Sequence, residues 1–279
     1  MEGDKNMMRH AIYFIITFIL VAGCSIFSKA PVNAAQKKTV YVVETINFKQ
    51  GKKTTKTKLT YNKNGTIKII KDSREKETMT FSYGKNGQIK NFKDKIEIGD
   101  HKGTETRKYT WKNGNIEKMF VKRFGDSTAT YTFKYKKGKL ASSINVEEWT
   151  DEDGSPQSNI IKTTYTMKKG HIYKMKNKYG TFSQKMDKKG NVVQIGKKTG
   201  GFGGYYIAKI TYKKNRISKM KIESWNPMMT NKNIRGDNAL KGTKVITYKT
   251  IKVNKSLADI IEAQQWKLLN GTATEDFAW

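Results

Sequence analysis

The hexapeptide Trp111-Lys112-Asn113-Gly114-Asn115-Ile116 returns in altered form about seven times between residues 57 and 222, and no other feature restricts the fold as much. Its centre is a two-residue Asn-Gly loop, which needs positive φ at both positions. Asn and Gly accept that conformation, and the turn matches the right-handed twist of the flanking strands. Lys112 and Asn115 then flank the turn, while Trp111 and Ile116 meet one step further out on the same face of the sheet. An aromatic and a β-branched residue opposed in this way stabilise a strand pair by roughly 0.2–1 kcal/mol over two alanines. The unit is a β-hairpin that carries its own packing pair, and a chain built of such units is an antiparallel sheet.

Two loop lengths occur. Tyr135 to Leu140, Met167 to Ile172 and Tyr212 to Ile217 share the Trp111 spacing, with Lys214-Asn215 replacing Asn-Gly in the last. Tyr61 to Ile67, Tyr83 to Ile89 and Met186 to Val192 have one more turn residue, and Gly is last in each loop. That order suits a type I turn closed by a left-handed residue with a bulge. In both classes the aromatic or Met stays opposite the aliphatic, so register survives the change of turn.

The far ends of the hairpins are joined by longer, unequal segments at 72–77, 94–105, 123–127, 147–158, 196–204 and 224–243. Alternation of Tyr41, Val43 and Thr45 adds a first strand, and 243–253 a last one. The count predicts a meander of 14–16 strands, and sheets beyond about 10 strands usually curl, split or close. The expected fold is therefore all-β, an antiparallel meander of repeated hairpins forming one curled or barrel-like sheet, or failing that a pair of packed sheets. Hydrophobic content of 36% means that most strands are wet on one face. One helix is expected over 256–269, with Ser256 as N-cap, Asp259 in the capping-box position and Gly271 past the end. Its apolar stripe of Leu257, Ile260, Ile261, Gln264 and Leu268 suits a cover for a sheet opening or edge.

This turn pattern resembles the YD-type (RHS-like) repeats of secreted hairpin-repeat proteins, whose units run from a tyrosine through a polar turn and glycine to an aliphatic residue. The likeness covers 57–222; the Asp that follows the second tyrosine in those repeats is missing, as in Tyr61-Asn62 and Tyr83-Gly84, and no Arg follows the glycines. The resemblance implies a cell-surface scaffold or an encapsulating sheet, with no catalytic residues to carry over.

The amino terminus reads as an export signal. Ala11 to Ala22 is a 12-residue apolar run preceded by Arg9 and His10, too short for the roughly 20 apolar residues that span a bilayer. Val21-Ala22-Gly23-Cys24 resembles the bacterial lipobox, which would make Cys24 a lipidated first residue; Val32-Asn33-Ala34 offers an ordinary signal-peptidase site instead. The expected division is thus a signal peptide over 1–34, or 1–23 in a lipoprotein, a hairpin-repeat domain over 35–253, and a helix and tail over 254–279. Cys24 is the only cysteine, so the mature chain has neither a disulfide nor a thiolate metal site.

The formal net charge is +31, and losing residues 1–34 lowers it by only one. Such a field draws a protein toward polyanions: for an exported protein these are wall polymers, anionic lipid headgroups, acidic polysaccharide or extracellular DNA. Only six of the 55 basic residues are arginines, whereas phosphate and base readout favours the planar guanidinium fork. Specific nucleic-acid recognition is not expected. A second use of the lysines is to keep sheet edges from pairing.

Candidate chemistry is sparse. In Glu147-Glu148-Trp149-Thr150-Asp151-Glu152-Asp153-Gly154-Ser155, the oxygens of Asp151, Asp153 and Ser155 are a weak cation set, and Glu148 with Asp151 a conceivable carboxylate pair. His171 follows Lys169-Gly170 in a turn and His101 lies in a loop, with no triad or zinc spacing around either. Gly200-Gly201-Phe202-Gly203-Gly204 lacks the helix and Lys-Ser of a phosphate loop. Trp225, Pro227, Met228 and Met229 form an apolar group in the longest connection, either a contact surface or a flap over the sheet. The expectation is an exported, non-enzymatic envelope or surface protein without cofactor, held by anionic polymers and by membrane only through a lipid anchor. The alternatives are a carrier of an apolar ligand inside the curled sheet and a carbohydrate-active enzyme using the 147–153 acids.

Overall fold

The computed structural model describes residues 37–73, 76–84, 87–98, 101–123, 127–168, 171–199, 205–225 and 239–275. Sixteen strands run in chain order: β1 Lys37–Gln50, β2 Lys53–Tyr61, β3 Ile67–Asp72, β4 Glu77–Tyr83, β5 Ile89–Ile98, β6 His101–Lys112, β7 Asn115–Lys122, β8 Thr128–Lys136, β9 Lys139–Thr150, β10 Pro156–Lys168, β11 His171–Asn177, β12 Gly180–Met186, β13 Val192–Thr199, β14 Tyr205–Lys213, β15 Arg216–Trp225 and β16 Ala239–Asn254, followed by helix α1 Lys255–Glu275. Each strand pairs antiparallel with its sequence neighbours, and β1 pairs with β16 to close a barrel. Of the two expected arrangements, one closed sheet is the one formed.

The turns adopt the conformations their residues require. Lys112 pairs with Asn115 and Trp111 with Ile116, around Asn113 and Gly114 at φ 50° and 79°. Lys214 and Asn215 hold φ 50° and 58° without any glycine. In the longer class, the Gly65 amide donates to the Asn62 carbonyl and the Asn62 amide to the Thr66 carbonyl, both at 2.9 Å, with Gly65 at φ 88°. The joining segments are shorter than expected. Most of 94–105 and 147–158 is strand, because polar residues there alternate inward and outward while paired on a ladder.

The repeats number eight, one more than the linear pattern displays. Val43 of β1 stands opposite Tyr248 of β16, one step after the same kind of register slip that precedes the Trp111–Ile116 pair. The two ends of the chain thus build the eighth aromatic–aliphatic unit, and the ring is closed without a covalent turn.

Seams between neighbouring hairpins follow one rule. Their ladders stop at Thr45–Lys58, Ile69–Thr80, Asn91–Lys108, Lys118–Thr132, Gln194–Lys209 and Lys219–Val245. Beyond each stop, nearer the short-turn rim, an aromatic tip of one hairpin donates to the carbonyl of the preceding unit's aliphatic residue. Tyr61 reaches Val43 at 2.5 Å, Tyr83 Ile67 at 2.8 Å, Trp111 Ile89 at 2.8 Å, Tyr135 Ile116 at 3.1 Å, Tyr212 Val192 at 3.0 Å and Tyr248 Ile217 at 2.7 Å. Burial raises the Tyr61, Tyr83 and Tyr248 hydroxyls above the usual phenol range and pushes Tyr212 up to about 12, so all stay protonated as donors. The two remaining seams, where ladders stop at Ser142–Thr164 and Lys174–Ser183, place Met167 and Met186 in the aromatic position, and a thioether has no proton to donate.

The lumen is packed. Val121, Ala129, Tyr131, Val192, Ile195 and Tyr206, from widely separated strands, are at most 1% exposed, and one hydrophobic cluster draws residues from every strand and from α1. A water-filled lumen of a round 16-strand barrel would leave those side chains wet. Helix α1 closes the short-turn rim. Its Ala258, Ile261, Gln265 and Leu269 are buried, a stripe centred one position later than the expected one, so Leu257, Ile260 and Gln264 become its flank. The shift follows from Gln265, whose Oε1 accepts from the Val43 amide at 2.7 Å and from the Tyr61 hydroxyl at 3.1 Å. Gly65 lies so close beneath the helix that a Cβ there would come within 2.7 Å of Ile261 Cδ1 and 2.5 Å of Val253 Cγ1.

Candidate functional site

Two features of the barrel carry charge in a pattern: a network inside the wall and a lysine lattice outside it. The network uses two of the chain's few arginines. On β6, the alternation Glu105-Thr106-Arg107-Lys108-Tyr109 turns Glu105, Arg107 and Tyr109 to the lumen, where all three are buried. Arg107 is ion-paired to Glu105 and lies 4.6 Å from the centre of the Phe92 ring, its cross-strand partner. Asp94, opposite Glu105, is fully buried as well. Just past β7, Arg123 donates from Nη2 to Glu147 Oε1 at 2.9 Å and to the Tyr131 hydroxyl at 3.3 Å. Asn145 donates to the same Glu147 oxygen at 3.0 Å, and Asn159 of β10 to its Oε2 at 3.3 Å.

Burial raises the Glu105 carboxyl above the usual carboxylate range against the pull of Arg107 and Arg123. Burial would weaken the Arg107 charge, yet Glu105, Tyr109 and Asp94 more than compensate and hold it on. A guanidinium does not exchange its proton near neutrality, and Glu105 and Glu147 are each held by one. The network braces five elements from inside. Removing one member of such a pair costs about 3–5 kcal/mol, although an apolar replacement of the whole can be neutral. Across the lumen wall, Lys197 of β13 stands between Phe182 and Tyr206, and burial pushes its amine down to about 8.

Outside, lysines alternate with hydroxyl side chains across the strands. Lys93 stands between Thr80 and Thr106, and Lys95 between Thr78 and Thr104. Lys118 stands between Thr110 and Thr132, and Lys122 between Thr106 and Thr128. Lys176 has Thr164 and Thr181 beside it. All five are exposed. Because strands are about 4.8 Å apart, interleaving threonine spaces the charges by roughly 10 Å instead of setting them face to face.

The acidic stretch is dispersed by the fold. Glu147 points into the lumen, and Glu148 points out and accepts from Thr128 Oγ1 at 3.3 Å. Asp151 accepts from Trp149 Nε1 at 2.9 Å, and Asp153 from the Ser155 amide at 2.9 Å; that amide is the first cause holding the Asp153 carboxyl below its ordinary value. Asp151 to Ser155 is itself a three-residue hairpin loop, with the Gly154 amide on the Asp151 carbonyl at 2.9 Å. Glu148 and Asp151 therefore have separate partners, and among the described residues no group of three His, Cys, Asp or Glu side chains is placed to hold a metal ion. His101 opens β6 and His171 opens β11, and Trp225 ends β15. Cys24, Pro227, Met228, Met229 and the 200–204 glycine loop lie outside the described residues.

The internal network was absent from the sequence reading, yet a signal existed. Arginine is rare here, and at 107 and 123 it sits at positions whose alternating neighbours place it on the apolar face.

No protein-family model matches the chain, and no curated protein matches it. Among solved structures, it is similar to a porin-like protein from Bacteroides vulgatus, with a TM-score of 0.38, 14% identity and coverage of 74% of this chain and 98% of that one. A porin-like protein from Bacteroides uniformis gives a TM-score of 0.37 at 10% identity, covering 74% and 96%. The Tc holotoxin pore of Photorhabdus luminescens gives a TM-score of 0.25 at 10% identity, covering 77% of this chain and 15% of that one.

Proposed function

We propose that this chain is an exported, non-enzymatic envelope or surface barrel whose lysine wall associates with anionic polymers such as wall polymers or the headgroups of an anionic membrane. One observation carries the reading. Lys93, Lys95, Lys118, Lys122 and Lys176 are each paired on both sides within the sheet, so they do not serve as guards of a free edge. What they supply is a spaced cationic surface, flanked by hydroxyls able to hydrogen-bond the same polymer. The resemblance to YD-type repeats belongs to this proposal, as a scaffold of hairpins without catalytic residues. A carrier reading finds no support in a lumen whose lining residues are this well buried, and an enzyme reading that uses the 147–153 acids finds none in side chains with separate partners.

Many weak, poorly directional contacts release counterions on binding. Titration of the mature protein with a teichoic-type polymer and with DNA, at low and at physiological salt, tests this directly. Affinity is expected to fall steeply with salt and to depend little on polymer identity. Lys93→Ala alone weakens binding slightly, whereas replacing Lys93, Lys95, Lys118 and Lys122 together weakens it many-fold. Binding that survives high salt, or that one substitution abolishes, would mean a discrete site, and no binding at low salt would end the proposal.

A further inference from the structure

Two of the large hydrophobic side chains that stand exposed among the described residues lie in a single row across the outer wall. Phe120 of β7 is 42% exposed and Ile160 of β10 is 56% exposed. Strand pairing connects them: Phe120 stands opposite Thr130 of β8, Thr130 opposite Val146 of β9, and Val146 opposite Ile160. Their chain neighbours Val121, Ala129, Asn145 and Ile161 are buried toward the lumen, so all four members of the row point outward. At about 4.8 Å between strands, the row runs roughly 14 Å around the barrel. Ile144, the next outward residue of β9, widens it.

Lysines surround this ridge. Lys108 of β6 is the second partner of Phe120. Lys118 and Lys122 are the outward residues before and after Phe120 on β7, and Lys162 of β10 stands opposite Ile144. All four are exposed. Glu148, the carboxylate that borders the row, accepts from Thr128 Oγ1 at 3.3 Å.

We propose that this ridge docks the barrel on an anionic bilayer surface, with Phe120 and Ile160 entering the headgroup layer and the four lysines held at the level of the phosphates. The inference rests on the lysine-wall reading and names one polyanion within it. Size and charge choose the occupant. A stable protein partner needs about 800 Å² on each side, and a ridge one side chain wide supplies a small part of that. A second copy would set these lysines against one another, on a chain of net charge +31. A fluid headgroup layer takes in projecting side chains without a matching groove, and lysine stems lie along apolar surface while the ammonium stays wet. Each lysine near an anionic leaflet adds attraction, and a point charge serves a headgroup phosphate without a guanidinium fork. The acidic tip Asp151 to Asp153 lies about 16 Å along β9 from Val146, and in this docking it is turned away from the surface.

A soluble polyanion has no apolar layer to receive the ridge, so apolar substitutions separate the two. The measurement is co-flotation with vesicles of phosphatidylglycerol and phosphatidylcholine, beside titration with the teichoic-type polymer, on protein in which Cys24→Ala removes the lipidation site. Phe120→Thr combined with Ile160→Thr is expected to lower affinity for anionic vesicles by about ten-fold and to leave polymer affinity unchanged, which also shows that the variant is folded. Replacing Lys108, Lys118, Lys122 and Lys162 with Ala together weakens both. An environment-sensitive fluorophore on Ile160→Cys shifts to the blue with anionic vesicles, and one on Lys219→Cys, exposed on β15 across the barrel, does not. Vesicle binding equal in the parent and the double Thr variant, or a fluorophore that responds alike at both positions, would overturn the proposal and leave the lysine wall standing. Polymer binding without vesicle binding would do the same and leave the ridge to a protein partner. Binding to neither would end both readings.

Discussion

Six seams of this barrel and the other two are built on the same geometry but different chemistry. At Tyr61, Tyr83, Trp111, Tyr135, Tyr212 and Tyr248 the side chain fills space at the rim and donates to a carbonyl of the preceding unit. At Met167 and Met186 it fills space alone. The two methionine seams flank the β10–β11 hairpin, and the same sector holds the shortest late strands and a β10–β11 ladder that begins only at Thr164. The difference teaches that the repeat has two separable parts. The hairpin needs only an apolar residue opposite an aliphatic one, but joining one hairpin to the next needs a donor. A buried hydrogen bond of this kind contributes about 0.5–1.5 kcal/mol, so the sector from β9 to β13 is the part of the ring expected to open first.

The largest expected effect tests the rim on which all the seams converge. Gly65→Val places a β-branched residue at φ 88° and drives its Cβ into Val253 and Ile261; the loss of stability should be roughly 3 kcal/mol or more. Gly138→Val has the same backbone problem at φ 69° but meets nothing within 4 Å, and should cost about 1 kcal/mol. Urea midpoints of the two variants measure the difference, and equal losses would detach the helix from the rim.

A smaller effect addresses the donors themselves. Tyr83→Phe and Tyr135→Phe keep the ring and remove the proton, and each should cost about 1 kcal/mol. Met167→Phe, at a seam with no donor to lose, should change the midpoint by less than either. Losses as large at Met167 as at Tyr83 would mean that ring packing, and not the hydrogen bond, distinguishes the seams.

The smallest is a gain. Met167→Tyr and Met186→Tyr each offer a hydroxyl to the carbonyls of Leu140 and Ile172, and should add about 0.5 kcal/mol, with slower amide exchange in β10 to β12 as the local readout. No change in exchange would show that those carbonyls are already satisfied.

By itself the sequence determined everything that is local. Turn type followed from where Gly and Asn stand. Register followed from the aromatic–aliphatic spacing, because it depends on residues within a few positions of one another; the helix formed where its apolar period placed it, but it begins at Lys255 and runs through Gly271 to Glu275, so Ser256 does not cap it and Gly271 does not end it. Lysine outside and aliphatic inside followed from strand alternation. Tertiary structure decided what joins distant parts. Val43 and Tyr248 make the eighth unit from the two ends of the chain, and the carbonyl that each tyrosine seeks belongs to the previous hairpin. The stretch read as an acidic loop is split, with Glu147 drawn inward to Arg123 and Glu148 left outside. The stripe of α1 turned by one position so that Gln265 could meet the Val43 amide. In each case the deciding partner lies on another strand, and no spacing along the chain encodes which carbonyl or cation closure will bring within 3 Å.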